Sequence, residues 1–535
     1  MSAFGRRRVE DADVVIVGAG ITAAMTAWKL SETTDRSILV VEAGDRPVPL
    51  SERMERRQRY LDYGENPWTA DHLDDMTAPG IMSRSMGVGG LAMHWGGAVP
   101  RFTPEDFRVR SLYGVGDDWP IGYDDLEPYY QEAEEKLGVA GERGPPELDR
   151  RARPYPLPRV PFSESLERLK AWAERSGTPF WANPVARVIE PYAAADGARG
   201  VCRRCDTCNI CPTGAKYTPD ITFDWLESTG RIRLLPRRLV RRLEVAPGSD
   251  RIEAAVAAGQ DRPDEPVRIT GRTFVLAGGY TWAPWLLLVS AGGRFPDGLA
   301  NSSGLVGRYM NGHRNVQAYV EVDFPLFPGE FGNHSLLSQR FQSHSAGDGR
   351  YVRHDFRVWD STSGREPRLA DDGGRLLLGD ALLEDWRARA ATGAVRLRSY
   401  YDVLPHRESR IEIDPGLRNR WGDPLPRLRF RDDDASAALR GHTEDLVRAR
   451  FDDLVRAGGG RIMRTFVDET QDHPGGGARM GDDPATSVVD SRGRAWDHEN
   501  LFVVGAPTMV TGGCANGTLT FCALTLRQAE EVARS

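Results

Sequence analysis

The chain has 535 residues and a mass of 59.3 kDa, too long for a single hydrophobic core, so two or more lobes are expected. Its net charge of −7 leaves no basic excess to neutralise phosphates, which excludes nucleic acid as an expected partner. No stretch approaches the roughly 20 apolar residues that cross a bilayer, so no direct membrane insertion is expected. The segment after Arg8 is polar where a signal peptide would be apolar; the chain alone reads as cytoplasmic, with export on a partner subunit to the periplasm as the alternative.

In chain order, the apolar run from Asp13 to Val17 predicts a buried parallel strand, residues 22–30 a helix, and residues 37–42 a second strand. This is a βαβ unit. Its first turn reads Gly18-Ala-Gly20-Ile-Thr-Ala23, the G-x-G-x-x-G/A spacing of a dinucleotide loop. Gly18 permits the tight turn, Gly20 lets the backbone approach a pyrophosphate, and Ala23 keeps the helix close to the strand. Free N–H groups at the helix start then face the phosphates. Glu42, closing the second strand, is placed to accept hydrogen bonds from ribose hydroxyls. The pattern does not choose between FAD and NAD.

Residues 45–112 read as irregular, with glycine-rich punctuation at 87–97. A helix is expected after Pro128, loop over 138–163, and strands over 231–244 and 251–277. The run from Thr273 to Gly279 repeats the strand-into-glycine pattern and leads into a helix at 284–290. Alternation at Val316, Ala318, Val320 and Val322, and again at Val395 and Leu397, predicts antiparallel strands. An amphipathic helix is expected over 436–457. The fold class is α/β, α+β overall: a Rossmann-like lobe assembled from discontinuous segments plus a lobe with an antiparallel sheet.

Six cysteines are present, and Cys202, Cys205, Cys208 and Cys211 fall at three-residue steps before Pro212. Such crowding is poor disulfide material and points to metal or redox use. The spacing is closer to a ferredoxin loop than to paired zinc knuckles; an Fe–S cluster is the expectation, with zinc and free thiols as alternatives.

Residues 473–527 run from His473-Pro-Gly-Gly-Gly-Ala-Arg-Met-Gly through Leu501-Phe-Val-Val-Gly505 to Asn516-Gly-Thr518-Leu-Thr. This stretch resembles the C-terminal block of glucose–methanol–choline (GMC) oxidoreductases. Gly87-Val-Gly89-Gly90-Leu-Ala-Met-His94-Trp resembles the second flavin-contacting segment of the family's pyranose oxidases and bacterial FAD-dependent sugar dehydrogenases. The segments Tyr113–Tyr130 and Asn301–Arg308 are similar to the same dehydrogenases. Gly477 and Gly517 depart from the family pattern, which has Thr and Pro there.

The resemblance implies FAD as cofactor and hydride removal from a sugar or glycoside CH–OH. It implies His473 as the base for the hydroxyl proton and Asn516 as the residue holding the substrate oxygen. Gly89, Gly90, His94, Gly505 and Thr518 are expected beside the flavin, with covalent attachment at His94 left open. It further implies a 3Fe–4S or 4Fe–4S cluster on the four cysteines, a small helper subunit and a cytochrome c acceptor. An oxygen-using pyranose oxidase-like enzyme and a non-catalytic flavoprotein carrier are the alternatives. The implied FAD lobe comprises 10–110, 195–312 (with the cysteine loop 200–216) and 465–535; the substrate lobe comprises 111–194 and 313–464.

Overall fold

A computed structural model describes residues 8–68, 85–192, 199–205, 207–260, 265–327, 335–343, 350–361, 368–371 and 373–535. Val14, Val15 and Ile16 are apolar in succession because the strand Arg8–Val17 is covered on both faces. It lies inside a seven-stranded sheet, flanked in parallel by Ile38–Val41 and Pro266–Leu276. Arg233–Leu235 extends one side in parallel, and Leu501–Val503 pairs in parallel with Pro266–Leu276. Ile252–Gly259 and Arg238–Val245 add antiparallel strands at the other side.

Strands Arg8–Val17, Pro266–Leu276 and Leu501–Val503 each end at a glycine or one residue short of it: Gly18, Gly278 and Gly505. Gly18 takes φ +102°, and a Cβ there would lie 2.8 Å from the Ala277 carbonyl oxygen. Only glycine at position 18 lets the first strand turn this close to its neighbour. The carboxyl edge of a parallel sheet is where open α/β folds bind ligands.

The second sheet is antiparallel, in the order Arg461–Gly475, Asn311–Val322, Gly393–Asp402, Phe356–Asp360, Leu336–Ser338, Trp181–Ala182. Its side chains sort with the two-residue period of a strand. Val316, Ala318, Val320, Val395, Leu397, Phe356 and Val358 enter a second core, which the helices Glu164–Glu174 and Asp434–Gly458 cover with Leu169, Trp172, Phe451 and Leu454. The intervening residues, including His313, Arg357, Arg398 and Tyr400, form the opposite, polar face.

Several sequence expectations change, among them the loop over 138–163, which carries the short strands Val139–Gly141 and Leu157–Pro158. Arg53–Tyr63 is a helix inside the stretch read as irregular. The helix Tyr123–Leu137 starts before Pro128, which its first turns accommodate, and its Leu126, Tyr130 and Ala133 join the core of the parallel sheet rather than that of the substrate lobe. Ion pairs of Lys29 with Glu132 and Lys136 with Glu32 fasten it to the first helix. Arg461–Gly475 pairs along its length with Asn311–Val322, so the antiparallel sheet continues past residue 465 and delivers His473 at its end.

Candidate active site

A cavity of about 980 Å³ lies between the carboxyl edge of the parallel sheet and the polar face of the antiparallel sheet. At one end it is lined by Gly18, Gly20, Glu42 and Gly90, at the other by Arg357, Arg398, Tyr400, His473 and Asn516. Its volume is at the upper end of the range for small-molecule and cofactor sites.

The nucleotide end is built from backbone. The Gly89 N–H donates to the Ala19 carbonyl at 2.7 Å, and a Cβ on Gly90 would come within 3.2 Å of Gly20 Cα. The two glycine segments therefore touch main chain to main chain. Glu42 Oε2 accepts the Ala19 N–H at 2.7 Å and Oε1 accepts the Gly44 N–H at 2.9 Å, fixing the loop beneath the cavity. Burial raises the Glu42 carboxyl above the usual range, against the lowering effect of those N–H donors. Ala23 is fully buried between helix and sheet.

Three helices, Ile21–Thr33, Gly279–Val289 and Thr518–Arg534, begin at the cavity wall, each with no capping side chain and no acid in its first turn. Their free N–H groups give the cavity positive ends suited to anions. A diphosphate-bearing dinucleotide fits this donor set: Gly18, Gly20 and the Ile21–Thr33 helix start would hold the phosphates, and Glu42 the ribose. Gly505 takes φ +74° and packs where a Cβ would lie 2.5 Å from Thr22 Cγ2; it shapes the wall from behind, while Thr518 lines the cavity itself.

At the other end, His473 Nε2 lies 2.9 Å from Asn516 Nδ2, and His473 Nδ1 lies 2.9 Å from His313 Nε2. If the Asn516 amide donates, Nε2 carries the lone pair, Nδ1–H donates to His313 Nε2, and the remaining proton sits on His313 Nδ1. That nitrogen turns toward the Gly513 backbone without a well-formed bond. His473 holds φ +47°, a left-handed conformation costly for a non-glycine residue, and the strand pairing shifts register on both sides of His313. The backbone strain aims the two rings at each other.

Burial, with Arg357 and Arg398 adding repulsion, pulls the His473 pKa down to about 3. Burial, and then the His473 ring, push His313 well below its usual value. His473 is thus a neutral imidazole at any ordinary pH, able to accept a hydroxyl proton at Nε2. Asn516 Nδ2 beside it can donate to the same oxygen as charge develops there.

His94 does not join this group. Its side chain is exposed and meets Trp68 edge-on at 5.9 Å, while Trp95 turns into the cavity wall. Gly89 likewise lies behind the lining, under Met93.

Cys202, Cys205, Cys208 and Cys211 surround a separate small pocket together with Arg187, Thr207, Thr213 and Lys216. All four are free thiols, and among the described residues no three acidic, cysteine or histidine side chains converge to hold a metal ion. N–H donors nonetheless approach sulfur: Arg187 Nη2 to Cys208 Sγ at 3.1 Å, and the backbone N–H groups of Arg204 and Lys216 to Cys202 and Cys211 at 3.4 Å. Lys216, whose pKa burial lowers to about 8, donates Nζ to the carbonyls of Met93 (3.2 Å) and Trp95 (3.0 Å). Trp95 Nε1 donates to the Tyr217 carbonyl at 2.9 Å. The cysteine pocket therefore backs directly onto the wall of the large cavity.

His313, Arg357, Arg398 and Tyr400 are site residues that motif reading missed. The available signal was slight: Arg398 alone adjoins a residue of the recognised alternation, Leu397.

A dinucleotide-type glycine loop at one end of the cavity and a neutral imidazole at the other are features of a dinucleotide-dependent oxidoreductase. Residues 405–525 match the GMC oxidoreductase family, and residues 16–74 match an NAD(P)-binding Rossmann-like domain. The chain is 32% identical to the fructose dehydrogenase large subunit of Gluconobacter japonicus, over 97% of each chain. It is 24% identical to the gluconate 2-dehydrogenase flavoprotein of Pantoea cypripedii, over 97% of this chain and 93% of that one. Among solved structures, pyridoxine 4-oxidase from Mesorbium loti superposes with a TM-score of 0.63 at 18% identity, covering 98% of this chain and 99% of the other. The chain belongs to the GMC oxidoreductase family and is an FAD-dependent enzyme acting on CH–OH groups.

Proposed function

We propose that this chain is a sugar dehydrogenase whose electrons leave by way of the cysteine pocket. The observation that carries the first half is the Asn516–His473–His313 chain at the end of a cavity whose other end fits a dinucleotide. FAD, when bound, supplies the hydride acceptor. His473 Nε2 takes the hydroxyl proton, Asn516 orients the same oxygen, and His313 holds the imidazole in the tautomer that leaves Nε2 free. The sheet's polar face closes the cavity over the reacting carbon. Fructose dehydrogenase and gluconate 2-dehydrogenase, both named for sugar-type substrates, support a sugar over a simple alcohol.

The second half rests on four thiols around one pocket, N–H donors at sulfur, and a single lysine between that pocket and the cavity wall. The donor chemistry suits an Fe–S cluster held by Cys202, Cys205, Cys208 and Cys211, or by three of them, and such a group would supply a one-electron exit. That a relative is a large subunit supports assembly with a further subunit; a small helper and a cytochrome c acceptor are the partners proposed.

The test is anaerobic purification with iron and sulfide analysis, followed by mixing with sugars and a one-electron dye. Flavin bleaching with dye reduction and little peroxide in air is expected. Iron-free protein that turns over oxygen to peroxide as fast as dye would replace the dehydrogenase with an oxidase.

A further inference from the structure

Proton transfer leaves the arginines of the polar wall unexplained. Arg357, Arg396 and Arg398 stand on two adjacent strands, on the same side, and all line the cavity. Arg396 is occupied, its guanidinium donating to Gln317 Oε1. Arg357 is held through Nε to Asp355 Oδ2 at 2.6 Å, yet its buried Nη2 has no hydrogen-bond partner among the described residues. Asp355 spends its other oxygen on the Tyr400 N–H at 2.6 Å.

Arg398 is held by π faces alone. Its Cζ lies 4.4 Å from the Tyr400 ring centre and 5.2 Å from that of Trp359, its buried Nε has no partner, and among the described residues no carboxylate lies within ion-pair distance. Asp355 and Asp472 act on Arg398 through space, beyond ion-pair distance; Asp472 Oδ2 accepts from Asn315 Nδ2 at 3.0 Å, and Asp360 lies partly exposed at its strand's end. Stacking fixes the plane of a guanidinium while leaving its N–H edge open, and that planar fork matches a carboxylate bidentately. A cation largely removed from water calls for an anion at close range, and the cavity that Arg398 lines has room for one. The Tyr400 ring that carries Arg398 lies 5.8 Å from the His473 ring, so the open guanidinium and the base share one chamber.

We propose that the substrate is a carboxylated sugar, an aldonate or uronate, whose hydroxyl carbon meets His473 while Arg398 and the free Nη2 of Arg357 receive its carboxylate. This rests on the sugar dehydrogenase reading and narrows it. The oxidised carbon goes from CH–OH to C=O, the proton to His473 and the hydride to FAD; the carboxylate is bound and unchanged.

The test is anaerobic flavin bleaching of the holoenzyme by gluconate and glucuronate, by glucose and fructose, and by glucose 6-phosphate. The carboxylated sugars are expected to exceed the neutral ones at least about 50-fold in kcat/KM. Arg398→Gln should lower the carboxylate reaction about 10- to 100-fold, mainly through KM, with partial recovery in Arg398→Lys and a smaller loss, in kcat rather than KM, for neutral sugars. Neutral sugars or the phosphate reacting best, or Arg398→Gln slowing all substrates alike, would overturn the inference while leaving a sugar dehydrogenase. Bleaching by none of the five would overturn both. Should the variants lose FAD, the wild-type ranking alone decides.

Discussion

The large cavity and the cysteine pocket share a wall but are built in opposite ways. The cavity takes its lining from segments spread between Val17 and Phe521, converging from two sheets and three helix starts. The cysteine pocket takes all four thiols from the ten residues Cys202–Cys211. A site assembled from distant rigid elements is geometrically over-determined: His473 meets both His313 and Asn516 at 2.9 Å, each from a different element. A site made by one loop has its chemistry in the sequence but its geometry in the ligand, and here the thiols ring a pocket without converging.

The largest effect that would sharpen this contrast is at His473. His473→Ala should slow flavin reduction about 10³-fold, within the range for loss of a general base, with FAD content unchanged. A rate within threefold of wild type would remove His473 from the mechanism. At the other pocket, Cys208→Ser should bring bound iron to background while flavin reduction by sugar stays within threefold; unchanged iron would show that the loop geometry does not depend on that thiol. His313→Leu tests whether the cavity is pre-set by its second imidazole. A 10- to 100-fold fall in kcat with KM nearly constant is expected, because His473 keeps its place but loses the partner that fixes its tautomer; an equal rise in KM would mark a merely structural role.

The smallest effect is on stability. His473 and His354, with pKa values lowered by burial to about 3 and about 4, and His313, also lowered, are neutral when folded, whereas unfolded histidines titrate near 6.5. The unfolded chain binds the extra protons, so their contribution is full above pH 6.5 and is lost as pH falls toward 4, by about 1.4 kcal/mol per pH unit for each group at most. Thermal melts from pH 8 to 4.5 should show Tm flat above about 7 and falling below; in His354→Gln the fall should be shallower.

Much of the fold was legible because its signals are local. The strand into Gly18, its repeat into Gly278, and the Val316–Val322 alternation all became the elements they announced. The Tyr123–Leu137 helix was misplaced because only tertiary packing shows that Tyr130 faces the C-terminal helix, where its hydroxyl meets Thr520 Oγ1 at 2.9 Å. In the site, His473 and Asn516 stood in a recognisable block. His313 did not, since its meaning lies in a ring 160 positions away. The arginine wall was hidden differently: Arg396 and Arg398 alternate with Val395 and Leu397, and alternation read for its apolar half alone says nothing of what its polar half confronts.

Lys216, reaching from the cysteine loop to the carbonyls of Met93 and Trp95, sets an order of construction. Until the cysteine loop has settled, this lysine cannot brace the segment that leads from Gly90, at the dinucleotide loop, to Trp95; until that segment is braced, the cavity lacks a finished side. If the cysteine loop takes a group, the shared lysine would couple the two compartments, and each would tighten the other by the same free energy. A substitution at Lys216, though remote from the dinucleotide loop, would then be felt as poorer retention of FAD.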